Sequence, residues 1–392
     1  MRIIDFTVYH VRIPLKKEIR HASHVRTSTD SLVVQCRLDS GQSGWGEGLP
    51  RAYVTGETLE QAWQMLPSVP WNSQFGASIA SLSDVVAMLS SFQLTQTGAD
   101  QRGCFGNSLR AAIELSLLDA ACRSLGLPLS AVTTAVPETV AIRQSAAEVC
   151  YGAAITAASP WKQRWRAMLM RLSGFPQIKV KVGVDGVDDV ALLRRVRNIV
   201  GPNVDLRIDA NEAWRCETLV KQVAPLLPFQ ITALEQPVPH EAVAGLAAVR
   251  STVGVPLMLD ESLCCEFDAR RAINEGLCDL FNLRISKCGG FLPTLKLAAL
   301  AHQAGLGYQL GCQVGETGIL SAAGRHFATS VVGIRYLEGS YDRHLVRERL
   351  TNEDLTFGLG GRAPALTQPG LGITIDLQAL QRVTIQSATF AI

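Results

Sequence analysis

Nowhere in the 392 residues do about 18 apolar residues run uninterrupted, so the sequence predicts no membrane-spanning helix. The N-terminus, MRIIDFTVYHVRIPL, alternates like a strand and lacks the apolar stretch and cleavage site of a secretory leader. Ten cysteines are scattered without a CxxC pair, and the adjacent Cys264 and Cys265 match neither a zinc-site nor a disulfide-framework spacing. Reduced, mostly buried thiols in a cytoplasmic protein are the expectation. There is no basic run and no aromatic-basic stripe on this reading, and the formal net charge is only +2, so neither nucleic acid nor a membrane is expected as a partner. What is present is a chain with 47% apolar residues, ordinary for a soluble enzyme and long enough for two or more domains.

The first 60 residues hold alternating runs, IIDFTVYHVRI and SLVVQCRL, followed by DSGQSGWGEG, which reads as a glycine-containing turn in a β-meander. SLRAAIELSLLDAACRSLG, residues 108–126, has apolar residues at three- and four-residue steps and stops on Gly126 before Pro128, as a helix should. An α+β module over residues 1–130 is predicted. From about residue 148 short apolar strands alternate with amphipathic helices. Eight strands are predicted: VCYGAAI, IKVKV, VDLRIDA, ITALEQ, PLMLDE, DLFNLRI, GYQLGC and IRYLEG. Asp209, Glu235, Asp260 and Arg284 close four of them at intervals of 26, 25 and 24 residues. That repeat fits an α/β, TIM-like (β/α)8 barrel over residues 131–349 better than a doubly wound sheet. The loop-rich segment 350–392 is expected to pack back on the first module.

IKVKVG, residues 178–183, raises the functional question. Lys179 and Lys181 share one strand face, where two ammonium groups repel. A solvated edge strand is the bland explanation. The strands that follow end on Asp209, Glu235 and Asp260, each of which alone would read as a helix cap. Together, on successive strands, they sit side by side on the C-terminal rim of a barrel, where active sites of this fold lie. Three carboxylates so close imply a bound cation, and all-oxygen ligation points to Mg2+. Beside it Lys181, nearer the rim, is the candidate base, with Lys179 as the neighbour that lowers its pKa. A base and a Lewis acid together specify proton abstraction next to a carboxylate.

KVKVG, IDANEAW, EQP, LDES and the Gly-Gly of SKCGG, in this order, resemble the mandelate racemase and muconate lactonizing enzymes of the enolase superfamily, over essentially the whole chain. GWGEGLPRAYVTGET resembles that family's capping segment. The resemblance implies an α+β capping domain over a modified barrel, with Mg2+ on Asp209, Glu235 and Asp260. It also implies specificity loops around His21 to Arg26 and Arg51 to Thr58, making His21, His24, Arg51 and Tyr53 candidate substrate contacts. The Lys-x-Lys form points to the muconate lactonizing subgroup. YQLGCQVGET lacks the histidine base of the mandelate racemase subgroup.

One position departs from the pattern. Subgroup members carry a lysine five positions before the first glycine of the Gly-Gly pair, where this chain has Arg284; Lys287 lies two positions before it. Arginine stays protonated, so it can anchor or stabilise negative charge but cannot take a proton. A one-base reaction, cycloisomerisation or elimination, is therefore expected unless Lys287 turns inward to complete a two-base pair. The alternative is an epimerase of dipeptides or a racemase of N-acylamino acids, for which Glu338 and Asp342 could bind a substrate ammonium. A non-catalytic barrel is a third, weaker reading. Asn211 is expected to orient ligands from behind, Glu316 and Glu338 to touch the far end of the substrate, and His240, His302, His326 and His344 to be structural. The expected partners are a small carboxylate substrate and further copies of the chain in a homo-oligomer.

Overall fold

The computed structural model describes residues 1–20, 25–94, 102–156 and 159–392. The alternating runs at the start become β1 (Ile3–Arg20), β2 (Val25–Leu38) and β3 (Ser43–Gly48) of an antiparallel sheet, with the C-terminal strand Thr384–Ala391 paired to β1. β3 corrects the sequence expectation. SGWGEG is not a turn but a strand paired with β2 from Leu32 to Arg37.

Its glycines answer to packing. Gly44, Gly46 and Gly48 share one face by the two-residue strand period, and the helix α1 (Asn107–Leu125) lies directly on that face. A Cβ at these three positions would meet Ala120 N at 2.0 Å, Ala112 O at 2.0 Å and Ser108 O at 1.9 Å. The facing helix positions, Ser108, Ala112, Ser116 and Ala120, are all small and four residues apart. Sheet and helix thus touch backbone to backbone. α1 ends where the sequence predicts, at Gly126 with a left-handed φ of 69°.

After β4 (Glu148–Cys150) come eight parallel strands, neighbours in chain order: β5 (Ala153–Ile155), β6 (Gln177–Lys181), β7 (Asp205–Asp209), β8 (Ile231–Glu235), β9 (Leu257–Leu259), β10 (Leu280–Leu283), β11 (Gly307–Leu310) and β12 (Ile334–Leu337). Gly152 N donates to Leu337 O at 2.8 Å, so the sheet curls until its first strand meets its last. VCYGAAI, expected as one strand, is split. β4 pairs outside the barrel with Arg362–Pro364, because Tyr151 N bonds Gly361 O and draws the chain aside before Ala153 enters the barrel.

Helices α2 (Pro160–Leu172), α3 (Asp189–Val200), α4 (Phe291–Gln303) and α5 (Gly318–Ser330) flank the barrel. Asp188 caps α3 by accepting from Ala191 N at 2.9 Å. α4 and α5 are capped from the N-terminal module instead. Glu114 of α1 accepts from Phe291 N and Leu292 N, and Glu47 of β3 accepts from the Thr317 hydroxyl (2.7 Å), Thr317 N and Leu320 N. Carboxylates suit helix N-termini, yet both are buried so deeply that their pKa rises to about 7. The Gly-Gly of SKCGG makes room for one of them. A Cβ on Gly290, whose φ is 128°, would lie 1.9 Å from Glu114 Oε2. A continuous apolar core runs through both modules.

Candidate active site

Strand order puts the candidate residues on five successive strands, β6 to β10, in one row around the barrel. Lys181 of β6 is the register partner of Asp209 on β7, and Asp209 that of Glu235 on β8; Asp260 and Arg284 follow the ends of β9 and β10. The carboxylates are almost wholly enclosed. Two residues down β6, β7 and β10, pointing the same way, lie Lys179, Arg207 and Asn282, and β11 adds Gln309, a polar floor beneath the row.

The two lysines of IKVKVG therefore live in different surroundings. Lys179 is buried in a cage of carboxylates, with Nζ 2.7 Å from Glu338, 3.4 Å from Glu235 and 3.5 Å from Asp209. Burial works against its charge, but Glu235, Glu338 and Asp209 outweigh it and hold the pKa above the ordinary lysine value. Lys181 is part-exposed at the rim and donates one hydrogen bond, 2.7 Å, to Asn211 Oδ1. Asn211 also donates its backbone N–H to Asp209 at 3.0 Å, from a left-handed turn with φ 42°. It thereby holds the base candidate and a carboxylate at once.

Arg284 pairs with Asp260 Oδ2 and lies 4.0 Å from Glu235 Oε1. Lys287 is fully enclosed, and its three donors go to Asp260 O (2.7 Å), Asp260 Oδ1 (2.9 Å) and Asn282 O (2.8 Å). With every N–H taken, it holds Asp260 from beneath and does not turn toward the barrel mouth. Glu338 faces Lys179 and Arg207 (2.6 Å); burial would raise its pKa, but these two cations pull it down to about 2. Its charge is thus already matched. Asp342 is buried in the short segment that follows, accepting from Arg343 N.

The remaining candidates are placed as follows. Arg51 is buried and ties Asp30 O, Pro50 O, the Thr29 hydroxyl and Val314 O together, so it clamps the N-terminal module to the β11–α5 loop. Tyr53 has the Arg26 guanidinium 5.3 Å from its ring centre. Glu316 accepts from Gln313 N at 2.6 Å, and burial raises its pKa to about 8. His21 and His24 lie outside the described residues. The sequence reading missed Arg207, Asn282, Gln309 and Glu261. Asn282 and Gln309 donate to Glu235 at 2.8 and 3.4 Å, and Glu261 is a buried acid whose Oε2 has no hydrogen-bond partner among the described residues. A polar residue two positions before the landmarks Asp209 and Arg284 was the available signal for Arg207 and Asn282.

The donor chemistry suits a hard divalent cation. Three carboxylates stand on adjacent strand ends, and Glu235 is raised to about 7 by burial and by Asp209, Glu338 and Asp260, a crowding that a cation would relieve. Their side chains are turned onto Lys179, Arg284 and Lys287, and among the described residues no three His, Cys, Asp or Glu side chains converge on one point. A ligand set would need rotation of these side chains, which stand at the ends of three successive strands.

Residues 162–379 match the family model described as Enolase C-terminal domain-like. The chain belongs to the enolase superfamily. Among its relatives, an L-Ala-D/L-Glu epimerase of Bacillus subtilis is 29% identical over 95% of this chain and 97% of its own. The solved N-succinyl Arg/Lys racemase of Bacillus cereus superposes with a TM-score of 0.85 at 26% identity, covering all of both chains. A dipeptide epimerase from Cytophaga hutchinsonii, solved with Mg and D-Ala-L-Val, gives 0.83 at 26%, covering 99% and 100%. The superfamily and its capped barrel agree with the sequence expectation; the muconate lactonizing subgroup does not. These relatives are epimerases and a racemase, whereas a muconate lactonizing enzyme of Pseudomonas fluorescens, at 24% identity and TM-score 0.82 over 98% and 99%, shares the fold.

Proposed function

We propose that this superfamily member is a Mg2+-dependent isomerase working at the carbon next to a carboxylate, with a dipeptide or N-acylamino acid as its substrate class. The carrying observation is the row Lys181, Asp209, Glu235, Asp260 and Arg284, a part-exposed amine and a guanidinium at opposite ends of three carboxylates. The relatives named above support the substrate class. Asp209, Glu235 and Asp260 would hold the metal, which supplies stabilisation of the negative charge developing on the substrate carboxylate. Lys181, released from Asn211, takes the α-proton. Lys179 stays charged within its carboxylate cage and adds positive potential under the same site. Arg284 stays protonated and can steady the substrate carboxylate or the negative charge developing on it, but it neither takes nor delivers a proton.

That last property favours a second reading, α-proton chemistry confined to the Lys181 face. Incubating dipeptides and N-succinylamino acids with Mg2+ in D2O separates the two. Deuterium gained with inversion supports an epimerase or racemase; deuterium gained with retention alone supports one-face chemistry. No α-exchange in any such substrate, or full exchange after verified removal of divalent metal, would sink the proposal.

A further inference from the structure

α2 reverses the usual orientation of an amphipathic helix, whose apolar stripe faces the core. Trp161 and Trp165 are each 65% exposed, Leu172 is 78% exposed, and Met168 and Leu169 are exposed as well. At about 100° per residue these five side chains fall on one stripe. The side packed on the barrel carries Gln163 and Ala167 instead, with Gln163 Oε1 accepting from Arg195 Nε of α3 at 3.0 Å. Leu359, 80% exposed, extends the apolar surface past the helix end, because Gly360 N bonds Ser173 O.

The charges on α2 are all of one sign. PWKQRWRAMLMRL holds Lys162, Arg164, Arg166 and Arg171 and no acid. By the same helical geometry Lys162 and Arg166 run along one edge of the stripe and Arg164 and Arg171 along the other. The contacts they make do not neutralise them: Lys162 lies over the Trp161 ring, Arg166 bonds the Thr156 hydroxyl and Arg171 the Ile199 carbonyl. An aromatic and aliphatic stripe between two basic edges is the pattern of a helix that lies flat in a lipid interface.

We propose that this face docks on an anionic lipid bilayer, with α2 in the headgroup plane and Trp161, Trp165, Leu169 and Leu172 entering its outer layer. No helix among the described residues is long and apolar enough to cross a membrane, so attachment is peripheral. The proposal departs from the sequence expectation of no membrane partner. Charge selects this occupant over a second copy of the chain, because two such faces would bring cationic edges together. α2 forms part of the outer wall of the barrel, so docking leaves the mouth open to substrate.

Flotation of the whole chain with vesicles tests this. Vesicles with about one-third phosphatidylglycerol in phosphatidylcholine should carry the protein up, shift tryptophan emission to the blue and release it at high salt. Pure phosphatidylcholine should not. Arg164→Gln with Arg166→Gln should weaken partitioning roughly 25-fold, about fivefold for each charge. Trp165→Ser with Leu172→Ser should abolish it without changing turnover. Equal binding to both vesicles, or to neither, would overturn the proposal. So would a doubled particle mass in lipid-free solution that Trp165→Ser abolishes, which would make the face an interface between copies.

Discussion

Replacing Lys179 by methionine removes the cation shared by Glu338, Glu235 and Asp209 at 2.7, 3.4 and 3.5 Å. Deleting one partner of a buried ion cluster costs about 3–5 kcal/mol. Glu235, with its pKa already near 7, can take up a proton and relieve part of the repulsion, so the lower end is expected. Lys181→Met, two residues along the same strand, removes a single hydrogen bond at a part-exposed position. Its stability loss should be about 1 kcal/mol. Catalysis should show the reverse order of separability. Lys181→Met should lower α-deuterium exchange by the roughly 10²–10⁴ of a lost general base while lowering the unfolding midpoint far less than Lys179→Met does. Urea unfolding followed by far-UV circular dichroism reads the first quantity, and mass spectrometry of substrate in D2O the second. Normal exchange in Lys181→Met, or wild-type stability in Lys179→Met, would refute this division.

Arg284→Lys exchanges a permanently charged fork for a titratable amine facing the substrate from the other end of the row; α-exchange on the second face should rise, and an unchanged face ratio by NMR would count against that placement. His326 is buried with Nδ1 accepting from Ser130 N, and burial lowers its pKa from 6.5 to about 4. The folded state therefore favours the neutral ring, and stability should fall by about 3 kcal/mol as pH drops from 6.5 to 4; denaturant titrations across that window should flatten in His326→Gln relative to wild type. Gly46→Ala would drive a Cβ against the α1 backbone at Ala112 O, so a loss of about 1–3 kcal/mol or more is expected. A Gly46→Ala midpoint equal to wild type would mean that the sheet–helix contact is looser than described.

The candidate row was readable from sequence because its information is local and periodic. Each βα unit repeats at nearly constant length, so polar strand ends spaced 26, 25 and 24 residues apart must meet on one rim. The two-residue strand period likewise joins Lys179 with Lys181 before any fold is known. What partners those side chains find is not local. Glu338, which matches the charge of Lys179, arrives from the last barrel strand, and Lys287 is sealed beneath Asp260 although nothing in SKCGG distinguishes a buried amine from a reactive one. SGWGEG looked like a turn because glycine is frequent in turns; only the helix lying on it reveals that the missing side chains make space. Glu47 and Glu114 resemble ordinary surface acids until the modules pack and helix N-termini from the barrel close on them. The stripe on α2 has the same periodicity whether it faces core or water, and the side it turns outward depends on what the barrel wall offers for packing.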